Sequence, residues 1–314
     1  MKPLVLVARR GGNVAGLGLL NPGRRRRLGL SWPALSLNEA GETSLDCMMI
    51  EDNGFLAERG LEGPVASACL AAIARTEPDW RELRLSGVDG IHTEAAGIMR
   101  LPVRVEAQRK SYVVDTSAVG SDGQLRSLSA NSRQQINRSL RLYAERGKVA
   151  LEASPDLDTA LVRFAELERL HQRYWQRRGK PGAFAEPFFG VFHRALLKRA
   201  YPAGLVDVLR VTAGGETIGL LHTFIYRKDA YAYQSGFRLD EDARLKPGLV
   251  SHLLAIRHCR DAGLRSYRLL AGDSRYKRSL ATRDYELHWL SVRRPHIAFR
   301  VEGVARWIAR RGTS

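Results

Sequence analysis

The sequence of 314 residues lacks the features that mark disulfide-bonded, metal-binding, membrane-spanning and secreted proteins. Its three cysteines, Cys47, Cys69 and Cys259, are far apart, odd in number and without metal-ligand spacing. It has no apolar run long enough to span a membrane, and its first residues lack the anatomy of a signal peptide. These absences predict a reduced, cytoplasmic protein without a metal centre.

The patterns of covalent catalysis are also missing. No Ser-His-Asp or Cys-His arrangement stands out, and there are no repeats and no low-complexity segments. If the protein catalyses a transfer, we therefore expect the reaction to be direct, without a covalent enzyme intermediate.

Acidic residues are too few to balance the basic ones, and the formal net charge is +17. Residues 1–125 contain 15 basic and 15 acidic residues, so the excess comes entirely from residues 126–314, with 35 basic and 18 acidic. Arginine outnumbers lysine 42 to 8, which a preference for Arg codons would explain, but such a preference does not explain the asymmetry. The chain therefore has a neutral part, 1–125, and a basic part, 126–314, and the asymmetry predicts an acidic partner for the second: phosphates, a nucleic acid, an acidic protein or a membrane surface.

The first part has the pattern of a small α/β domain. Strands are predicted at 4–10, 14–20, 45–50, 80–85, 103–107 and 111–116, and a helix at 63–76. The stretch 21–23, Asn-Pro-Gly, predicts a turn. We interpret Arg24–Arg27 as a solvated hairpin tip, with a nucleic-acid or localisation signal as the alternative.

The second part begins with helices and continues with an antiparallel meander. Helices are predicted at 127–147, 156–179, 187–200, 245–263 and 274–281, and strands at 206–214, 215–226, 229–237, 266–270 and 285–292. Ser129 and Asp156 or Asp158 are the expected helix caps. This order requires 229–237 and 266–270 to be a parallel pair joined by a right-handed crossover. Residues 295–314 predict a basic amphipathic helix.

Several stretches carry a resemblance to a known family. They are WRELRLSGV, SANSRQQINRSLRLYAERGKV, LHQRYWQRRGKPGAFAEP, AYQSGF, LKPGL and GDSRYKRSLA. In this order they resemble the GNAT acyltransferase superfamily, and within it the CelD/FemAB-like (BcsL-type) branch. The resemblance implies an α/β, tandem GNAT-like fold with a mixed central sheet flanked by helices, in which the first unit is degenerate and residues 126–314 form the acyltransferase domain.

The resemblance also implies where an acyl donor binds. Strands 230–236 and 266–270 would separate and admit the donor, whose phosphates would lie at the start of the next helix. The residues implied as donor-binding are Arg244, Lys246, Gly248, Leu249 and Lys277. The turn departs from the superfamily pattern, because Pro247 removes an N–H and Val250 stands where a small residue is expected.

Acyl transfer to an amine needs a proton donor for the leaving group and a proton acceptor for the amine. The resemblance implies Tyr276 as the acid, and His222 is the candidate base. Gln234 and Tyr233 are candidates to order a water, and Asp273 to bind the ammonium of the acceptor. Each has a structural alternative: packing for Tyr276 and His222, and helix capping for Asp273.

These expectations favour an N-acyltransferase with acyl-CoA or an acidic acyl carrier protein as co-substrate, a small amine as acceptor and no permanently bound cofactor. One alternative is a FemAB-like transferase that uses aminoacyl-tRNA, which the basic half favours. Another is a non-catalytic accessory protein of exopolysaccharide or cell-envelope assembly, held at the inner membrane by residues 295–314.

Overall fold

The computed structural model describes residues 2–27, 29–42, 44–76 and 79–302. The chain forms two compact units. Unit 1 comprises the chain up to Arg109 and from Glu286 onward, and unit 2 comprises Lys110–Tyr285. This division differs from the contiguous boundary expected at residue 125, because the end of the chain returns to unit 1.

Strands and helices alternate along most of the chain. The elements of the first stretch are β1 (Leu4–Arg10), β2 (Asn13–Arg27), β3 (Leu30–Leu37), β4 (Leu56–Ala57), α1 (Glu62–Thr76), β5 (Glu82–Val88), α2 (Gly90–Gly97) and β6 (Val103–Asp115). Those that follow are α3 (Ala130–Ala144), β7 (Val149–Glu152), α4 (Leu157–Gln176), α5 (Pro187–Ala200), β8 (Val206–Ala213), β9 (Glu216–Tyr226), β10 (Asp229–Phe237), α6 (Pro247–Asp261), β11 (Ser266–Ala271), α7 (Arg275–Leu280) and β12 (Arg283–Arg293). Residues 297–302 are helical, while the remainder of the predicted tail helix lies outside the described residues. Of the described helices, none combines the length and the apolar character needed to cross a membrane.

In unit 1 the strands follow the order β1-β2-β3-β5-β12, with β3 and β5 parallel and the other neighbours antiparallel. One face is apolar: Leu83 and Leu85 of β5 are fully buried against Leu70 and Ile73 of α1. Because side chains alternate along a strand, the intervening residues of β5, among them Glu82, point to the other face of the sheet. That face is polar.

The turn expected at 21–23 is wrong, because these residues continue β2. Residues Leu20–Arg27 pair with β3, while the pairing of β2 with β1 ends at Leu20. Pro22 therefore lies where one edge of the strand no longer has a β1 partner, which is a position where proline is tolerated.

The strand expected at 45–50 is also wrong. Residues Asp46–Met48 form a single 3-10 turn. The Asp46 carboxylate accepts hydrogen bonds from the backbone N–H groups of Ala40 and Gly41, at 2.7 and 3.0 Å, and holds the segment in a turn. Side-chain to backbone bonds of this kind compete with strand pairing.

Unit 2 contains the meander predicted from the sequence. Its strand order is β6-β11-β10-β9-β8-β7, and only β10 and β11 are parallel. Val208 and Leu220 pack on α4 and α5, whereas their neighbours Leu209 and Leu221 pack on α3 and α6. The sheet is therefore covered by helices on both faces, and both faces are apolar.

Two of the predicted caps are present. The Ser129 hydroxyl accepts from the N–H of Ser132 at 3.2 Å, and the Asp156 carboxylate accepts from the N–H of Thr159 at 2.7 Å. These bonds fix the starts of α3 and α4.

Candidate active site at two separating strands

The predicted parallel pair is confirmed, and it is short. β10 and β11 pair only at Asp229–Ser266, Ala230–Tyr267 and Tyr231–Arg268. Beyond this point β10 stays bonded to β9 as far as Phe237, and β11 stays bonded to β6. The two strands therefore separate, and the pairing of β10 with β9 has a bulge at the same place, between Ala232 and Gln234. A bulge next to a strand separation is a common feature of active sites.

A buried carboxylate fastens the paired ends. Asp229 is 3% exposed and accepts hydrogen bonds from Arg265, Ser266 and Arg268. These bonds lower the pKa of Asp229 although burial opposes them, so the carboxylate stays ionised. The strands are thus held together at one end and free to part at the other.

The end of β11 is strained. Leu270 has a positive φ of 63°, which is unfavourable for a residue with a branched side chain, and Gly272 follows with φ 110°. The Lys277 ammonium donates to the carbonyl oxygens of Leu270 and Ala271, at 3.3 and 2.6 Å. The predicted donor-binding Lys277 therefore holds backbone carbonyls at the end of the strand.

His252, which is not among the predicted site residues, contacts both sides of the separation. It is fully buried on α6, and its ring lies 5.9 Å from that of Phe237 at the end of β10. On its other side it stacks on Tyr276 of α7, with 5.2 Å between centroids. Burial lowers the pKa of His252 to about 3, so the imidazole is neutral.

The tautomer of His252 follows from its partner. Its Nδ1 lies 2.8 Å from the hydroxyl of Tyr267, which is completely buried. Because the described residues give the Tyr267 hydroxyl no other acceptor, we assign it as the donor to Nδ1, which places the hydrogen of the ring on Nε2. His252 Nε2 has no partner of its own among the described residues. It is a buried N–H donor that lacks an acceptor.

Tyr276 is half-buried on α7, and burial raises its pKa to about 12. The phenol is therefore protonated at neutral pH. This state suits a proton donor and excludes a resting phenolate base.

His222, Gln234 and Tyr233 lie near the bulge. His222 is fully buried, with Nε2 3.3 Å from Nδ1 of His193, and burial lowers its pKa well below the ordinary value. The ring of Tyr233 packs against His193 and Phe224, each at 4.9 Å. Gln234 pairs with His222 across the strands and accepts from the N–H of the next residue, at 3.1 Å. His222 is thus part of a buried aromatic cluster.

Asp273 does not cap α7, whose first flanking residue is Ser274 without a side-chain cap bond. Its exposed carboxylate accepts from the hydroxyl of Tyr112 at 2.9 Å and from the guanidinium of Arg278. These two bonds lower the pKa of Asp273, so it is an anion next to the strained end of β11.

At the start of α6, two backbone positions cannot donate a hydrogen bond to an anion. Pro247, the first helical residue, has no N–H, and the N–H of Lys246 donates to Ser139 Oγ at 2.9 Å. The Arg244 guanidinium binds the Asp242 carboxylate at 2.8–3.1 Å. Gly248 lies close to the ring of Phe237, where an added Cβ would meet it at 3.3 Å, and Leu249 packs on the core.

The structure thus gathers Tyr276, Lys277 and His252 at the end of β11, and His222, Tyr233 and Gln234 at the bulge of β10. Over the residues that can be described, no group of three or more His, Cys, Asp or Glu side chains is placed to hold a metal ion.

Comparisons with known proteins identify the architecture. Residues 130–278 match the family model of the acetyltransferase (GNAT) domain. A search of curated proteins found no significant match.

Solved structures extend the likeness over both units. The C-terminal domain of a putative lysylphosphatidylglycerol synthetase from Agrobacterium fabrum is 13% identical, with a TM-score of 0.58 over 93% of this chain and 84% of that one. FemX is 11% identical, with a TM-score of 0.56 over 91% and 87%. L-PGS from Bacillus licheniformis is 11% identical, with a TM-score of 0.54 over 93% and 86%. At these identities the likeness shows the fold alone. The predicted α/β, tandem GNAT-like fold is confirmed.

Proposed function

We propose that the chain transfers an acyl group from a thioester donor to an amine, at the point where β10 and β11 separate. The observation that carries this proposal is the three-residue parallel pair, followed by the parting of the strands next to a bulge. A thioester arm placed there would lie beside backbone N–H groups of β10 and the buried N–H of His252.

The chemistry assigns a role to each group at the end of β11. The amine nitrogen attacks the acyl carbonyl, a C–N bond forms, and the C–S bond breaks. His252 Nε2–H would donate to the carbonyl oxygen as negative charge develops on it. Tyr276 would protonate the departing thiolate, and water ordered at Gln234 and Tyr233 would accept the proton lost by the amine and return a proton to the Tyr276 phenolate. The buried, neutral His222 is a weaker candidate for the base than its position in the sequence suggested.

The start of α6 favours a particular kind of thioester. Two backbone donors are lost at Lys246 and Pro247, so the pyrophosphate of CoA would be held poorly there. A phosphopantetheine arm on an acidic carrier protein needs no pyrophosphate site. The formal charge of unit 2, with 30 basic and 18 acidic residues, would attract such a carrier.

Aminoacyl-tRNA is the second candidate donor. The same loss of donors at α6 would suit a donor without a pyrophosphate, and FemX and lysylphosphatidylglycerol synthetases share this fold. Membership of the CelD/FemAB-like branch and a cytoplasmic site of action belong to this proposal as well. The accessory-protein alternative depends on residues 295–314, most of which lie outside the described residues.

The test offers acyl-CoA, acyl carrier protein and aminoacyl-tRNA to the full chain with a panel of small amines, and measures amide formation. We expect transfer from the acyl carrier protein that exceeds transfer from acyl-CoA. Tyr276→Phe and His252→Phe should each reduce turnover at least tenfold, since one donor to the reacting atoms is worth about 1.4 kcal/mol or more. Tyr201→Phe is the matched control, because among the described residues its hydroxyl bonds only the carbonyl of Ser154.

The donors are distinguished by salt. If only aminoacyl-tRNA supports transfer, and this transfer falls steeply as salt rises, then aminoacyl-tRNA and not a thioester is the donor. Equal turnover in wild type, Tyr276→Phe and His252→Phe would contradict the assigned site with any donor.

A further inference from the structure

Unit 1 contains a pocket that the proposed reaction does not use. It lies on the polar face of the sheet and has a volume of about 200 Å³. Its wall and floor come from β2, β3, β5, β6 and β12, and its charged and aromatic lining includes Arg25, Trp32, Glu82, Arg84, Arg109 and Trp289.

The floor of the pocket is built with complete hydrogen bonding. Glu82 is 3% exposed and accepts from Trp32 Nε1 at 2.7 Å and from Ser291 Oγ at 2.6 Å. Arg293 lies 3.4 Å from the same carboxylate. These bonds and the neighbouring arginines lower the pKa of Glu82 against the effect of burial. Glu82 is therefore a fixed carboxylate whose oxygens already have hydrogen-bond donors, and it is not a vacant ligand site.

Above this floor, Arg25 has no carboxylate within ion-pair distance among the residues that the structure describes. Its side chain comes from the four-arginine run, but it is half-buried and lines the pocket, in contrast to the exposed Arg24 and Arg26. Burial and the charge of Arg84 lower its pKa. A guanidinium in this environment carries an unfavourable charge that an anion would offset.

Arg84 is also poorly neutralised. Its nearest carboxylates are Asp46 at 3.9 Å and Glu39 at 4.0 Å. Asp46 already accepts two backbone N–H groups, and Glu39 accepts the hydroxyl of Ser86 at 2.6 Å. The remaining acidic residues beside the pocket are paired elsewhere: Glu106 with Arg104 and Arg293, and Glu302 with Arg27 and Arg293.

The outer part of the pocket offers a surface for the rest of a ligand. The Arg109 guanidinium lies over the ring of Trp289, 5.1 Å from its centroid, and is exposed. A guanidinium stacked on an aromatic ring can still bind an anionic group through its N–H groups, and the ring beside it offers apolar surface.

We propose that this pocket binds the phosphate group of a small phosphate ester, with Arg25 and Arg84 as the primary contacts and Arg109 at the rim. Guanidinium groups bind phosphate oxygens in paired, charge-assisted hydrogen bonds. The dianion matches Arg25, which has no carboxylate at ion-pair distance among the described residues, and Arg84, whose two carboxylates lie 3.9 and 4.0 Å away. The ionised Glu82 at the floor disfavours a second anionic group on that side of the pocket. The small volume restricts the ligand to the phosphate and a short attached group.

The full-length protein tests this proposal by calorimetry and thermal shift. The probes are inorganic phosphate, glycerol phosphate and vesicles of phosphatidylglycerol, with chloride at equal ionic strength as the control. We expect glycerol phosphate to bind and to raise the melting temperature. Arg25→Gln and Arg84→Gln should each weaken its Kd about tenfold or more.

Arg26→Gln is the matched control, since it makes the same change in charge one residue away on an exposed side chain. It should change the Kd less than twofold. Without ligand, Arg25→Gln should melt no lower than wild type, because it removes a charge that faces Arg84. Binding of glycerol phosphate but not of vesicles identifies a soluble ester, and binding of both identifies a lipid headgroup that the pocket accepts.

Two results would overturn the proposal. One is the absence of a phosphate-dependent shift in wild type when chloride is matched. The other is an equal loss of binding in Arg25→Gln, Arg84→Gln and Arg26→Gln, which would show a general effect of surface charge. Both readouts are independent of acyl transfer, so failure here leaves the proposed reaction in unit 2 untouched, and the reverse also holds.

Discussion

Lowering the pH from about 7.5 to about 5.5 should destabilise unit 2 through three histidines that the fold keeps neutral. They are His193, His222 and His252, which are 1%, 0% and 2% exposed. Burial lowers the pKa of His193 to about 4 and that of His252 to about 3, and it lowers the pKa of His222 well below 6.5. In the unfolded chain all three would titrate near the ordinary value of 6.5.

The direction of the effect follows from proton linkage. As the pH falls through 6.5, the histidines of the unfolded chain bind protons, whereas those of the folded chain stay unprotonated. The contribution of the three neutral imidazoles to the free energy of unfolding is complete above this pH. It is lost progressively as the pH falls to their folded pKa values. At about pH 5.5 each imidazole costs about 1.4 kcal/mol, so the three together cost about 4 kcal/mol. The carboxylates, with an ordinary pKa near 4.5 or below, titrate mainly below this range.

The assay is urea unfolding of wild type, His193→Phe and His252→Phe at several pH values between about 5.5 and 7.5. Each substitution should reduce the pH dependence of the free energy of unfolding by about a quarter to a third, because it removes one of the three linked protons while His171, whose pKa burial also lowers, adds part of a fourth. The control Tyr201→Phe should keep the full dependence. Equal slopes in all four proteins would refute the conclusion that the fold excludes protons from these rings.

Three further predictions concern the framework of unit 2. Asp229→Ala should lower the free energy of unfolding by about 3 kcal/mol, since it leaves the buried Ser266 hydroxyl and the largely buried Arg268 guanidinium without their carboxylate, and urea titration measures this. Gly236→Ala should cost about 2 kcal/mol in the same assay, because its Cβ would lie 2.6 Å from the carbonyl oxygen of Leu167; no loss would mean that α4 can move away. The thiol of Cys259, whose pKa burial raises to about 12, should react with Ellman's reagent only after unfolding in a Cys47→Ser variant, which removes the partly exposed thiol, and prompt labelling of Cys259 in that native variant would contradict its burial.

Much of the fold could be predicted because unit 2 follows simple patterns. The change from helical to alternating periodicity gave β8, β9 and β10, and the crossover rule gave the parallel pairing of β10 with β11. In the first part, two predictions were wrong because long-range contacts determine the local structure there. Local sequence does not show that Pro22 pairs with β3, or that the Asp46 carboxylate accepts hydrogen bonds from two backbone amides.

The site was less predictable than the fold. Tyr276 and Lys277 could be selected because they follow a Gly-Asp turn at the end of a strand, where a GNAT-like resemblance directs attention. His252 could not, since a lone histidine on a helix gives no sign of whether it faces a core, solvent or a gap. Its importance comes from the stacking on Tyr276 and the bond to Tyr267, which are 24 and 15 residues away in the chain. The half-buried position of Arg25 was equally hidden, because only the alternation of β2 separates it from its exposed neighbours.

The most direct test of the central claim is photochemical cross-linking with a pantetheine thioester that carries a diazirine in its acyl chain, followed by mass spectrometry of peptides. Transfer at the separating strands predicts adducts within residues 232–237 and 269–277, and competition by the unmodified thioester. Adducts confined to unit 1, or labelling that the unmodified thioester does not reduce, would contradict the account.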